Sequence, residues 1–190
     1  MAVLTSFSRT RGAVAPVVMV LTLGMFTPAP AAVAPALEYA VKANYLYKFG
    51  PFVEWPASAF ATPTAPFNVC VLGNDPFGTA LDDAVRGQTI SGHPVAVRRL
   101  QRVSGNPDCH VLYMGRSGTQ KTAEALRMLR DMPVLTVTDE QQGVDGGIVH
   151  FVLQNGRVRF VIDTAAAQAS GLVLSSKLLG LSASPTRGGA

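Results

Sequence analysis

Charge is sparse in this chain: Asp, Glu, Lys and Arg make up 15% of it, against 48% apolar residues. That balance excludes a disordered polypeptide and fits a globular one. The formal net charge is +4, and two units of it come from Arg9 and Arg11 near the start. Little basic excess is left for a nucleic-acid partner. Cysteine is scarcer still, with two residues in 190, and the spacing of Cys70 and Cys109 excludes a catalytic Cys-x-x-Cys pair. The three histidines, His93, His110 and His150, stand alone, without the spacing that makes a metal pair. No Gly-x-Ser-x-Gly elbow occurs. Asp82 and Asp83 are neighbours on a helical stretch and diverge, which suits a solvated face rather than paired acid–base work. No catalytic residue, metal or cofactor is therefore expected.

A long apolar run is missing as well. Ala13 to Phe26 is apolar over about 14 residues, against the roughly 20 that span a bilayer. With Arg9 and Arg11 before it and TPAPAAVAPA after it, residues 1–36 read as a secretory signal peptide. Ala34-Pro35-Ala36 is the expected cleavage site, with Ala29-Pro30-Ala31 competing. The mature protein is then expected to start near Leu37 in the periplasm, with an α/β domain over 37–182 and a flexible tail over 183–190.

The stretch from Phe67 to Arg86 organises the rest. Phe67 to Leu72 is a short apolar, β-branched run of the kind buried on both faces in parallel sheets. Gly73 and Asn74 permit a sharp exit. Asp75 and Pro76 suit a helix start, and Phe77, Leu81, Ala84 and Val85 recur at helical spacing. Cys109 to Met114 and Pro133 to Thr138 repeat the buried-strand pattern. A basic-ended strand over Val95 to Leu100 and a helix over Lys121 to Arg130 lie between. DEQQGVDGG reads as a hairpin link or a mobile lip. Asn155-Gly156 between two β-rich segments is a hairpin turn, and Ala165–Ala169 is helical. Alternating strands and helices followed by a hairpin define an α/β layered sandwich with a mixed, mainly parallel sheet flanked by helices.

Ahead of the first strand, Leu37, Val41, Tyr45 and Phe49 step by four and predict the core stripe of a helix, with Glu38 and Lys42 paired across one turn. Gly50-Pro51 breaks that helix. The aromatics Tyr45, Tyr47, Phe49, Phe52 and Trp55 crowd around the break, so Phe49, Phe52 and Trp55 are candidates for a partner-binding surface; packing on the sheet is the alternative. Two further sites follow. Cys70 and Cys109, both placed in strand-like runs, most simply make one disulfide in an exported protein, the alternative being two buried thiols. The turns after the strands at Cys70 and Cys109 open on one sheet edge, where Asn74, Asp75, Arg116 and Lys121 could hold an anion or nucleotide. GRSGTQKT is not a phosphate loop, because Gln120 rather than glycine precedes Lys121. A periplasmic small-ligand binding protein is thus one reading of the chain.

Several pieces, in order, resemble the YfiR-like periplasmic regulator family. They are AVKANYLYKFGPFVEWP, VCVLGNDPFG, CHVLYMGRS and the stretch VLTVTDEQQGVDGGIVHFVLQNGRVRFVIDTAAAQASGLVLSSKLLGL. The resemblance spans about residues 37–181. It implies a non-enzymatic regulator that represses a membrane-anchored diguanylate cyclase by binding its periplasmic sensory domain, a cysteine pair at Cys70 and Cys109, and a tendency to form homodimers. Some relatives carry further cysteines tied to redox sensing; this chain does not.

Overall fold

The computed structural model describes residues 33–116, 119–144 and 146–183. The leader expected over 1–36 lies outside the described residues up to 32, and the tail from 184 onward. No helix among the described residues is long and apolar enough to cross a membrane.

Helix α1 (Val33–Lys48) opens the described chain and takes in the last four residues assigned to the leader. It ends where Gly50-Pro51 forces a 3-10 turn over Gly50–Phe52. Strand β1 (Val53–Glu54) follows, then β2 (Phe67–Leu72), buried at every position. Helix α2 (Thr79–Val85) leads into β3 (Thr89–Ile90) and β4 (His93–Leu100). Beyond them come β5 (Val111–Met114), α3 (Thr122–Leu129) and β6 (Leu135–Asp139). The chain closes with β7 (Val149–Gln154), β8 (Arg157–Ile162), α4 (Thr164–Ala169), β9 (Val173–Leu174) and α5 (Ser176–Leu181).

Seven strands form one sheet in the order β3-β4-β2-β5-β6-β7-β8, and β1 pairs with β9 in a separate ribbon. The five central strands are mutually parallel. Antiparallel pairs finish both edges. This is the expected layered α/β sandwich with a mixed, mainly parallel sheet. The alternation of side chains along each strand splits the core in two. Val69, Val71, Val111, Tyr113, Leu135, Val137 and Phe151 face α1 and α2. Cys70, Leu72, Leu112 and Met114 face Ala125 and Leu129 of α3.

The hairpin turn is where the sequence puts it, with Asn155 at φ 53° and Gly156 at φ 70°. Helix α2 starts at Thr79 with Gly78 at its N-cap, not at Asp75-Pro76, and two other segments depart from expectation. Cys109 lies two residues before β5 rather than within it. The DEQQGVDGG loop is not a hairpin link, since β6 and β7 are parallel. After a 3-10 turn over Glu140–Gln142 the chain doubles back along β6. Its N–H groups are met by side chains: Gly147 donates to the Thr138 hydroxyl at 3.3 Å and Ile148 to the Thr136 hydroxyl at 3.0 Å. Those two threonines stand in for a strand partner and let a short loop replace the usual crossover helix.

Candidate functional site

Helix α1 is rotated away from its expected stripe. Its buried face is Lys42, Ala43, Leu46 and Phe49, while Leu37 is 64% and Val41 38% exposed. The reason lies across the sheet at the end of β6. Asp139, fully buried, accepts hydrogen bonds from the Lys42 ammonium at 2.8 Å on each carboxylate oxygen. Lys42 also donates to Glu38 one turn earlier. The Tyr113 hydroxyl from β5 donates to Asp139 at 2.8 Å, and the Gln141 N–H does so at 3.0 Å. Tyr39 places its ring 4.9 Å from the Lys42 ammonium and accepts a bond from Gln142 at 2.7 Å. Burial first, then the Asp139 carboxylate, raises the pKa of Tyr113 and keeps it a neutral donor.

Every N–H of Lys42 has an acceptor, and the Asp139 carboxylate has four donor contacts. A lone buried charge would cost several kcal/mol or more; this one is fully paired. In open α/β sheets the carboxyl ends of the parallel strands usually hold the ligand. Here that end of β5 and β6 is filled by the protein's own ion cluster. What the cluster does chemically is clamp: it ties α1 to the sheet and to the loop after β6.

The residues expected at the anion crevice are brought together in part. The Asn74 N–H donates to the Arg116 carbonyl at 3.0 Å. The approach is close, since a Cβ on Gly115 would meet the Asn74 carbonyl at 2.1 Å. Asp75, however, is consumed: one carboxylate oxygen accepts the Phe77 N–H at 2.7 Å and the other the Arg99 guanidinium at 2.7 Å. Arg99 reaches on to Asp82, and that hydrogen bond lowers the Asp82 pKa. Arg116 turns toward the Gln142 carbonyl, and Lys121 stands exposed at the N-cap of α3. The four residues do not converge on one vacant point.

The aromatic segment turns inward. Phe49 is 2% exposed; its ring stacks on Tyr45, meets Phe160 edge-on and lies tilted against Phe151. It offers no surface to a partner. Phe52 and Trp55 are half-buried. The Trp55 indole donates to the Gly50 carbonyl at 3.1 Å and sits edge-on against Phe67 and His110. The break at Gly50 does exist, but pairing of β1 with β9 pulls the following residues against the core instead of lifting them off it.

Cys70 and Cys109 are disulfide-bonded, with Cα atoms 5.9 Å apart. Beside the bond, His110 is 1% exposed. Its Nδ1 accepts the Asn68 N–H at 3.0 Å, which leaves the proton on Nε2, where no partner among the described residues makes a hydrogen bond. Burial is the main cause that lowers its pKa to about 4; His93 adds to the shift, and Asp108 and the Ala59 carbonyl oppose it. The unfolded chain titrates this ring near its ordinary value of about 6.5, so below that pH only the unfolded state gains the proton. Stability is therefore lost as pH falls from about 6.5 toward 4, by on the order of 3 kcal/mol from this group. Urea titrations of the wild type and His110→Gln at pH 7 and pH 5 check this. The variant is expected to start less stable and to lose less on acidification; equal losses would discard the assignment.

Taken together, the described residues make a layered α/β protein stapled by one disulfide, whose sheet edge is shut by a buried ion cluster. The chain belongs to the YfiR/HmsC-like family, whose model matches residues 39–183. Members of that family are periplasmic regulators of cyclic-di-GMP signalling. Among curated proteins no match was found. The Lys42–Asp139 clamp was not legible in the sequence, since its partners are 97 residues apart. The only local signal was a lysine four residues after Glu38 on a helix with an apolar inner face.

Proposed function

We propose that this protein acts by binding rather than by catalysis, as a periplasmic repressor of a membrane-anchored diguanylate cyclase whose periplasmic sensory domain it holds. The family match over residues 39–183 carries this reading. The filled sheet edge at Lys42, Asp139 and Tyr113 supports it, because a protein that works through its outer surface can spare its crevice for structure. The proposal includes release of the leader 1–36, a working domain over 37–182 with residues 183–190 as tail, and a homodimer. Of the aromatic segment, Phe52 and Trp55 keep open edges for a partner.

Deleting the protein should raise cyclic-di-GMP in cells, and the exported wild type should restore the level. The purified domain should bind the purified periplasmic part of the cyclase. An unchanged nucleotide level on deletion, with no binding in solution, would end the proposal.

A further inference from the structure

We infer that the outward ridge of α1, with the groove on each side of it, is a docking surface for an acidic amphipathic helix of about three turns on a partner protein; this rests on the binding function proposed above. The ridge arises from the rotation of α1. Burying Lys42 turns Leu37 and Val41, one helical turn apart, out to solvent, where they are 64% and 38% exposed. An apolar ridge displayed beside a buried lysine is the reverse of ordinary amphipathic design and marks an interaction site.

A groove of about 480 Å³ runs along one flank of this ridge, past Ala40, Asn44 and Tyr45, and is closed by Lys48. Another of about 530 Å³ runs along the other flank, past Leu153 and Val158 of the hairpin, and is closed by Arg157. Ridge and grooves are apolar in the middle and cationic at the two ends. Neither Lys48 nor Arg157 has an ion-pair partner among the described residues. The one acidic residue on these walls, Glu38, is already engaged by Lys42. From Leu37 to Lys48 the helix rises about 16 Å, the length of three helical turns. Recognition of a helix in such a groove uses apolar anchors at i, i+3 and i+4, with carboxylates at its ends meeting Lys48, whose ammonium otherwise lies over the Tyr47 ring, and Arg157.

Charge also decides between occupants. If two copies paired across this ridge about a two-fold axis, the Lys48 end of one would meet the Arg157 end of the other, cation against cation. A lipid surface would be met by a convex or flat patch, whereas these flanks are concave.

The test uses the exported domain and the purified periplasmic part of the cyclase, with wild type, Leu37→Ser/Val41→Ser, Lys48→Glu/Arg157→Glu and the distant control Arg86→Glu compared by titration calorimetry. Both double variants should bind at least tenfold more weakly, the charge reversal should lose the salt dependence, and the control should match wild type. Because all these side chains are exposed or lie on the surface, melting temperatures should stay within a few degrees. Wild-type affinity in both double variants would overturn the inference and leave the functional proposal standing. Failure of the wild type to bind the cyclase would instead overturn the functional proposal. In that case a synthetic helix with leucines on one face and glutamates at both ends decides the inference. Its addition should shift the amide signals of residues 37–48 and 153–158, and a lysine-ended version should not. No shift, dissociation of a homodimer by Leu37→Ser/Val41→Ser, or loss of binding to phosphatidylglycerol vesicles in that variant would overturn it.

Discussion

Replacing Lys42 by methionine should lower the melting temperature by on the order of 10 °C, the largest effect expected of any single substitution away from the cysteines. The side chain is fully buried and bound to Asp139 and Glu38. Methionine matches its length and removes only the charge, so packing changes little. What remains is a buried carboxylate at Asp139 with no counter-ion. Breaking one partner of such a pair costs about 3–5 kcal/mol, and each kcal/mol moves the midpoint of a domain this size by about 2–4 °C. The decisive measurement is a double-mutant cycle. Asp139→Asn removes the charge, keeps an acceptor oxygen for the Gln141 N–H and turns an amide N–H toward the Tyr113 hydroxyl, which can accept it. Adding it to Lys42→Met should recover a large part of the loss, leaving a coupling of about 1–3 kcal/mol. Additive effects would mean that Lys42 is held by packing alone, and that α1 takes its rotation from some other source.

That rotation also explains what the sequence could and could not disclose. The strands at Phe67–Leu72 and Leu135–Asp139 are legible because burial on both faces selects short runs of apolar and β-branched residues, FNVCVL and PVLTVT; that the second runs on to Asp139 is not, because Asp139 is buried only by its pairing with Lys42. Asn155-Gly156 was legible because its left-handed backbone is a local demand. The stripe Leu37, Val41, Tyr45, Phe49 was misleading for a physical reason. Hydrophobic periodicity assumes that a helix turns its apolar side inward, and here one ion pair with Asp139 outweighs two aliphatic side chains. Phe49 stayed inside because the two faces overlap at the end of the helix; Leu37 and Val41 did not. CHVLYM reads as a strand from Cys109 because all of it but His110 is apolar or aromatic, yet Asp108 takes φ 52° just before it. The Asn68 amide binds the Asp108 carbonyl at 2.9 Å, so the strand begins only at Val111. The anion crevice was half legible: adjacent strand ends do bring Asn74 and Arg116 together. Sequence could not reveal that Arg99, one strand over, takes Asp75 for itself.

Replacing both cysteines by alanine should leave the native structure intact and lower the melting temperature by about 8–16 °C, a loss that enters through the unfolded chain. Closing a segment with a sequence separation of 39 contributes about 4 kcal/mol in the chain-entropy model, which at about 2–4 °C per kcal/mol gives the range stated. The folded geometry around the bond is fixed by other means. Arg98 donates to the Asp108 carbonyl at 2.9 Å and Asn68 donates to it at the same distance. Strands β2 and β5 remain paired from Val69–Val111 onward. The backbone at Cys109 is thus held without help from sulfur. Alanine is the right substitution, because Cys70 lies in an apolar cluster with Leu112 and Met114, where two serine hydroxyls would add a desolvation cost of their own. Circular dichroism of the double variant at 20 °C should superimpose on wild type, while its thermal midpoint falls. Reductant should reach the bond slowly in native buffer, since Cys70 is fully buried and Cys109 only 6% exposed. It should act faster in sub-denaturing urea, where opening exposes the sulfurs. A midpoint within about 3 °C of wild type would show that the unfolded chain already keeps β2 and β5 together, so that the bond constrains nothing further.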